Sequence, residues 1–523
     1  MSTNKYMPSD SNRGIIKSTS IISLGTLFSR LLGFIRDIIL AKLFGTGQSA
    51  DAFFVAFRIP NMFRDVLGEG ATNSTVVPVF AEYVVQKDKV RIWNFFSVIL
   101  TLLLMVLSVV TILGIVFSPW IVRVIAPGFG AQTPKLLLTI QLTQLMFPYL
   151  VFIGLTAYFM GILFTLRSFA SSAFGPCLLN IAMIVSALIA SRTMAEPVFG
   201  LAIGVLVGGV LQLLVQVRSL SKNDIRFQKP KTLAHPGAQK VGRLLFPRLL
   251  GTAVYQLNVF VDTFCASLSS IVGLGGVSAL YYATRIIQFP LGVVSVALAS
   301  AILPVMAGFA SQQNMDDFKR TLVFSLKNIF LVMVPTSVFL VLFSIPIIKI
   351  LFERGEFGQY STAITSSALL FSAIGLVSFA GARIMVTAFH SLQDTKTPVK
   401  VAGICLMVNL VLNFALMHPL KIGGIALASS ISGTINFLAL FSIMDKRIKG
   451  LSEQLGEYLL RIILISVVMG LAAVLIWPWL IVFDLTTRFV MIGILSFIIF
   501  AAMSLALRIE QVVTIFRWIL NQK

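Results

Sequence analysis

Fourteen stretches of this chain are apolar over enough residues to cross a bilayer, and that pattern limits the fold more than any motif does. A hydrocarbon core about 30 Å thick is crossed by about 20 residues of helix. Backbone groups inside it find no water, so the chain there must be helical or close into a barrel. The stretches fall at 15–43, 50–84, 93–120, 136–166, 169–191 and 197–217, then at 242–268, 275–306, 321–351, 361–390, 398–417, 421–444, 458–482 and 486–508. Charged residues make up 12% of the chain, against about 25% in soluble domains. A water-soluble enzyme is excluded, and the expectation is an all-α integral membrane protein with about fourteen transmembrane helices.

The net charge is +21. On a membrane protein such an excess marks cytoplasmic loops rather than a nucleic-acid partner. With an even number of spans both termini share a side, and placing them in the cytoplasm puts 24 basic residues in or beside inner connections against 8 at outer ones. The first thirteen residues, MSTNKYMPSDSNR, lack the apolar core of a signal peptide, so the first apolar helix is expected to stay. Cys177, Cys265 and Cys405 lie in apolar runs, and His235, His390 and His418 are widely spaced. Neither set offers a disulfide framework or a zinc site.

The longest polar connection, SLSKNDIRFQKPKTLAHPGAQK at 219–240, is basic and contains Pro, so it reads as a cytoplasmic linker between two halves. Self-comparison agrees. AFFVAFR at 52–58 matches ALYYATR at 279–285, LGT at 24–26 recurs at 250–252, and VPV at 77–79 resembles LPV at 303–305, at offsets of 226 or 227. IGL at 153–155 and 374–376, with Pro176 and Pro398, adds offsets of 221 and 222. The expected domains are an N-terminal lobe at 1–218, the linker at 219–240, a C-terminal lobe at 241–450, and an unrepeated pair of helices with a tail at 451–523. A repeat of six spans keeps equivalent helices parallel, which is transporter architecture.

Ionisable groups cost several kcal/mol each in hydrocarbon, and here they concentrate on a few spans. The first holds Arg30, Arg36 and Asp37; the second holds Asp51, Arg58, Arg64, Asp65 and Glu69; the seventh holds Arg248 and Asp262, the eighth Arg285, the ninth Lys327 and the tenth Arg383. Repeat-related spans therefore carry most of them. One reading is mutual pairing, for which Arg36 beside Asp37 is suited. The other is a water-filled cationic cavity, because arginine exceeds acid here and guanidinium suits phosphate. Pro60 and Pro290 break the second and eighth spans, as backbone lining a cavity tolerates. Gly25, Ser29 and Gly33 form a small-residue face suited to helix packing.

SRLLGFIRDIILAKLFG, ADAFFVAFRIPNMFRDVLGEGA and VPVFAEY within 29–83, YYATRIIQFPLGVVSVALASAILP at 281–304 and AFHSLQDTKTP at 388–398 closely resemble the MurJ (MviN) family of lipid II flippases, of the multidrug/oligosaccharidyl-lipid/polysaccharide exporter superfamily. The resemblance implies that the chain moves undecaprenyl-pyrophosphate-linked disaccharide-pentapeptide from the inner to the outer leaflet of the bacterial inner membrane. It implies substrate contacts at Arg30, Arg36, Arg64, Arg285 and Asp51, with Asp37 orienting its neighbours, and Ser29, Arg58, Asn61 and Glu69 nearby. It implies a lipid-tail groove formed by the last two helices. Some relatives hold sodium, which would fall on Asp262, Asn409, Asn413, the backbone at Ile425 and Ser429; Asn413 replaces an acid there, and losing that carboxylate weakens a hard-cation site.

The mechanism so implied is alternating access around a cationic cavity, without a cofactor other than that sodium. A negative-inside potential would drive it, at about 2.3 kcal/mol per charge per 100 mV. Expected partners are lipid II, membrane lipids and the proteins of cell-wall synthesis. Two rivals stand beside this reading. An exporter of another polyprenyl-linked glycan or of amphipathic small molecules would share the fold. A membrane-embedded polyprenyl-phosphate enzyme would need a metal-binding acidic pair or a nucleophile near the phosphate, and the adjacent acids Asp316 and Asp317 fall in a loop.

Overall fold

The structure is a computed structural model that describes residues 9–64, 73–85, 88–130, 133–230 and 232–521. Its regular elements are helices: α1 (Ser9–Phe44), α2 (Gln48–Arg64), α3 (Asn73–Val85), α4 (Lys89–Ile125), α5 (Pro134–Met146), α6 (Tyr149–Thr165), α7 (Ala170–Thr193), α8 (Pro197–Lys222) and α9 (Pro236–Ser267). There follow α10 (Ser269–Val272), α11 (Gly276–Pro290), α12 (Val296–Ser311), α13 (Met315–Leu342), α14 (Ser344–Phe352), α15 (Gln359–Ile374), α16 (Leu376–Ser391), α17 (Lys396–Leu420), α18 (Ile422–Ile448), α19 (Leu451–Ile476), α20 (Leu485–Ala506) and α21 (Glu510–Asn521).

Over its described residues, each of the fourteen apolar stretches coincides with a helix or a pair of helices. Among the described residues, nine helices are long and apolar enough to span, and two bent pairs raise the number to eleven. The remaining stretches are α1, the α2/α3 pair and α9. Those elements carry most of the deep charges, though not Arg285, Lys327 or Arg383, so much of the shortfall in apolarity lies where function was expected. Helix N-termini are closed by side chains where an acceptor is at hand. Asp88 accepts from the backbone N–H of Val90 and Arg91 at the start of α4, and Thr133 caps α5 ahead of Pro134.

Two compact units partition the chain, Met1–Gln256 and Leu257–Lys523, so the division falls inside α9. The polar segment 219–240 is partly helical, because α8 runs on to Lys222 and α9 begins at Pro236. Its extended part is tied to the first unit. The Trp93 indole donates to the Asp224 carbonyl at 2.8 Å, the Gln228 N–H donates to Ser97 Oγ at 2.8 Å, and Lys89 pairs with the Asp224 carboxylate. Arg226 and Lys89 hold that carboxyl below the usual range, the hydrogen bond from Lys89 contributing most.

In the first unit α7 and α8 pack through small residues. A Cβ on Gly200 would lie 2.1 Å from the Ala190 Cβ, and one on Gly204 would lie 2.8 Å from that of Ser186. Only glycine permits so close an approach. The face at Gly25 and Gly33 is likewise a packing seam, set against Ala173 and Asn180 of α7. In the second unit Tyr282, Phe352 and Phe357 interlock by ring contacts of 5.2 to 5.7 Å.

The repeat is written in backbone geometry. Helix α5 meets α6 at a 41° bend and α15 meets α16 at a 46° bend. The joints, at Pro148 and Gly375, are 227 residues apart (375 − 148). Left-handed residues follow the same rule: Arg167 (φ 58°) and Gln393 (φ 59°) are 226 apart (393 − 167), and Asp224 (φ 58°) and Lys449 (φ 56°) are 225 apart (449 − 224). This corrects one sequence pairing. The IGL triplets at an offset of 221 set Gly154 against Gly375, whereas the bend sets Pro148 there; three apolar letters recur by chance in such a composition. Span eight is interrupted as Pro290 foretells, by a π-helical turn at Leu291–Ser295.

Candidate functional site

Within the first unit, α1 separates its charges by environment. Arg30 is exposed and makes no ion pair with a described residue, whereas Arg36 is 5% exposed and Asp37 1%. The Arg36 Nη2 donates to Asp37 Oδ1 at 2.7 Å, its Nε to the same oxygen at 3.0 Å, and its Nη1 to Asn180 Oδ1 at 3.0 Å. Asn180 in turn donates through Nδ2 to the carbonyls of Ser29 and Pro176. The buried guanidinium is thus neutralised by its neighbour and held to α7, the pairing that adjacency allows. Asn180, inside an apolar run, gave no signal in the sequence.

Asp51 opens α2 in a dry setting. Lys135 of α5 places Nζ 2.7 Å from its Oδ2, with 8% and 2% of the two side chains exposed, and the same ammonium lies 3.9 Å from the centre of the Phe129 ring. Along the helix, Arg58 and Asn61 are half-buried, and Asn61 Oδ1 is buried without a hydrogen-bond partner among the described residues. Glu69 and Asp65 lie outside the described residues, as do the side chains of Arg64 and Arg248.

Within the second unit, α11 carries Arg285 half-buried. Its Nη2 donates to Tyr281 Oη at 2.7 Å one turn earlier, and the guanidinium lies 4.8 Å from that ring centre. Gln288 accepts from Nη1 at 3.4 Å. Tyr281 therefore fixes the direction of the arginine, a role its aromatic letter alone did not disclose. Asp316 and Asp317 occupy the first turn of α13, where Asp317 is engaged by Asn314 and Arg320.

The residues expected to hold sodium do converge. Asp262 of α9 accepts at Oδ1 from the amides of Asn409 and Asn413 at 2.9 Å each, and at Oδ2 from Ser429 Oγ at 2.8 Å. Asn409 also donates to Asn258, which the sequence reading omitted. Ile425 lies in the first turn of α18, four residues before Ser429, with its side chain buried. The amide oxygens of Asn409 and Asn413 are buried and without hydrogen bonds among the described residues. Turning either amide about its terminal torsion would set its oxygen beside the carboxylate. One carboxylate, two amide oxygens and a hydroxyl form a hard donor set that fits a monovalent cation.

A further joint lies in the AFHSLQDTKTP motif. Asp394 accepts from the Thr397 N–H at 3.0 Å and hydroxyl at 2.7 Å, and from Arg447 Nη2 at 2.7 Å. Those bonds hold its carboxyl down to about 2, the backbone N–H contributing most. At the equivalent joint of the first unit, 226 residues earlier (394 − 168), Ser168 meets Ser219 at 3.2 Å instead.

The family model described as "Lipid II flippase MurJ" matches residues 40–500. The "Lipid II flippase MurJ" of Burkholderia cenocepacia is 34% identical over 437 residues, covering 83% of this chain and 84% of the relative. The "Probable lipid II flippase MurJ" of Vibrio cholerae is 34% identical over 82% of this chain and 83% of its own. Among solved structures, "Lipid II flippase MurJ, inward closed conformation" superposes with a TM-score of 0.79 at 26% identity over 93% of this chain and 98% of that one. A structure described as the inward-facing conformation of a multidrug resistance MATE family transporter of the MOP superfamily reaches 0.70 at 18% identity over 83% of this chain and 99% of that one, a likeness of fold.

Proposed function

The chain belongs to the MurJ family of lipid II flippases, and from that membership we propose how its own residues do the work. It is a transporter, not an enzyme: a multi-pass protein of the bacterial inner membrane that carries lipid II across the bilayer. Membership carries the conclusion. It disfavours an exporter of another polyprenyl-linked glycan or of amphipathic small molecules.

In the proposed mechanism, access alternates between the two faces, and guanidinium groups draw in the diphosphate. Arg30 supports this best, being exposed and free of ion pairs with described residues. Arg285 follows, aimed by Tyr281 and Gln288. Arg36 and Asp51 belong to the same set, each held in place by a buried partner, Asp37 and Lys135. Arg58, Arg64, Asn61, Ser29 and Glu69 complete the candidate set.

A sodium ion would be held by Asp262, Asn409, Asn413 and Ser429, and would supply the charge that lets both amide oxygens turn inward. Both termini lie in the cytoplasm on the count of basic residues, and the membrane potential acts on the emptied cationic site. On the outer face the lipid passes to cell-wall synthesis proteins.

The test is the appearance of lipid II in the outer leaflet of vesicles. Arg30→Ala and Arg285→Ala should each lower the rate by about tenfold or more, since a hydrogen bond to a charged group contributes about 1.5–3 kcal/mol. Rates equal to wild type would overturn the assignment.

A further inference from the structure

At one end of the second unit, α19 turns into α20 through Trp477–Leu480 and a short connector. Its tip is apolar yet bare: Trp479 is 83% exposed, Ile481 73% and Val482 86%. A surface of that kind is stable in the headgroup region of a bilayer, where tryptophan gathers. It therefore sets the depth of what lies beside it.

Beside it is Arg488, in the first turn of α20. Its guanidinium carbon lies 3.8 Å from the centre of the Trp477 ring, a stacked cation–π contact. The indole is backed by Phe343 at 5.2 Å, with Phe489 next in the cluster. Arg488 Nε is buried and without a hydrogen bond among the described residues, while the terminal Nη donors are neither buried nor bonded there. The nearest acid on the helix, Asp484, is committed elsewhere. It accepts from the N–H groups of Thr486 and Thr487 and from the Thr487 hydroxyl, and these bonds lower its carboxyl pKa, the hydroxyl contributing most.

A half-desolvated guanidinium with free Nη donors, fixed by an aromatic plate at headgroup depth, has the features of a phosphate receptor. We propose that Arg488 and Trp477 form a headgroup site for an anionic phospholipid of the leaflet that holds the α19–α20 turn. The Nη groups donate to the phosphodiester oxygens, the indole holds the guanidinium plane, and the acyl chains lie along the exposed apolar faces of α19 and α20. The site is separate from the arginines assigned to the transported lipid.

The experiment is native mass spectrometry of the full-length protein titrated with phosphatidylglycerol, with diacylglycerol of the same chains as the phosphate-free probe. Wild type should retain one phosphatidylglycerol that Arg488→Ala loses, with apparent affinity about tenfold lower. Arg354→Ala should bind as wild type does, because its guanidinium already donates to the carbonyls of Ile350 and Leu351. Arg488→Gln serves if the alanine variant does not fold. Equal retention by the Arg488 variants, or diacylglycerol held as tightly as phosphatidylglycerol, would overturn the proposal. So would displacement of the phospholipid by an equal concentration of undecaprenyl phosphate, which would assign the site to the carrier lipid.

Discussion

Lys135 and Asp51, 84 residues apart in sequence, meet at 2.7 Å with both side chains almost wholly withdrawn from solvent. Removing one partner of such a pair strands a charge, at a cost of about 3–5 kcal/mol, while removing both is often close to neutral. Asp51→Ala, which takes the carboxylate away from the buried Lys135 ammonium, is therefore expected to melt well below wild type, and the double variant with Lys135→Ala to recover much of the loss. Thermal unfolding in detergent decides it: a single variant as stable as wild type would show that the pair contributes nothing.

The Arg36 cluster predicts a ranking. Asp37→Ala removes two charge-assisted hydrogen bonds from the buried guanidinium and should cost about 3–5 kcal/mol. Asn180→Ala removes one neutral acceptor and should cost about 1–3 kcal/mol. Yield of folded protein and melting temperature should follow that order; the reverse order would mean that Asn180, not Asp37, anchors the arginine.

Asp394 predicts a pH dependence. Its folded pKa is lowered from 3.8 to about 2, so the stability it contributes is present above about pH 4 and lost as pH falls through about 2. Asp394→Asn keeps the shape but removes the charge that strengthens these bonds, and should cost about 1 kcal/mol near neutrality. The gap to wild type should stay level between pH 7 and 5 and close between pH 4 and 2. A gap that widens on acidification would contradict the assignment.

Adding a carboxylate to the Asp262 group should favour a cation. Asn413→Asp is expected to raise sodium-dependent thermal stabilisation, which grows with the ratio of ion concentration to dissociation constant. Asp262→Ala should abolish it, and potassium at equal ionic strength provides the control. Equal responses of wild type and both variants would remove sodium from the proposal.

Tyr281→Phe keeps the ring under Arg285 and removes one hydrogen bond, worth about 1 kcal/mol. Flipping in vesicles should slow several-fold, and less than in Arg285→Ala. A loss equal to that of the arginine variant would make Tyr281 a direct contact of the lipid.

Much of the fold was legible because the length of an apolar run is itself the signal for a membrane helix, and over their described residues the fourteen stretches all fall on helices. The break at Pro290 was legible, but the one expected at Pro60 is absent, since α2 runs through that proline, and the joints at Pro148 and Gly375 gave no expectation at all. Pairing was legible only between neighbours, as for Arg36 and Asp37. Lys135 stands just ahead of an apolar stretch and Asn180 inside one, and neither position signals its role, because the partner that gives each its meaning is brought close only by the folded chain. The Asp262 group was placed by family likeness; hydropathy alone does not distinguish its asparagines from any others.

The equivalent joints of the two halves, Ser168 with Ser219 and Asp394 with Arg447, share a backbone shape but not a binding force. One is a contact between hydroxyls and the other an ionic clasp over an aromatic ring. Salt weakens attraction between exposed charges far more than it weakens a neutral contact. Duplication thus left this protein with twin corners of unlike stiffness, and a rise in ionic strength would slacken only the second.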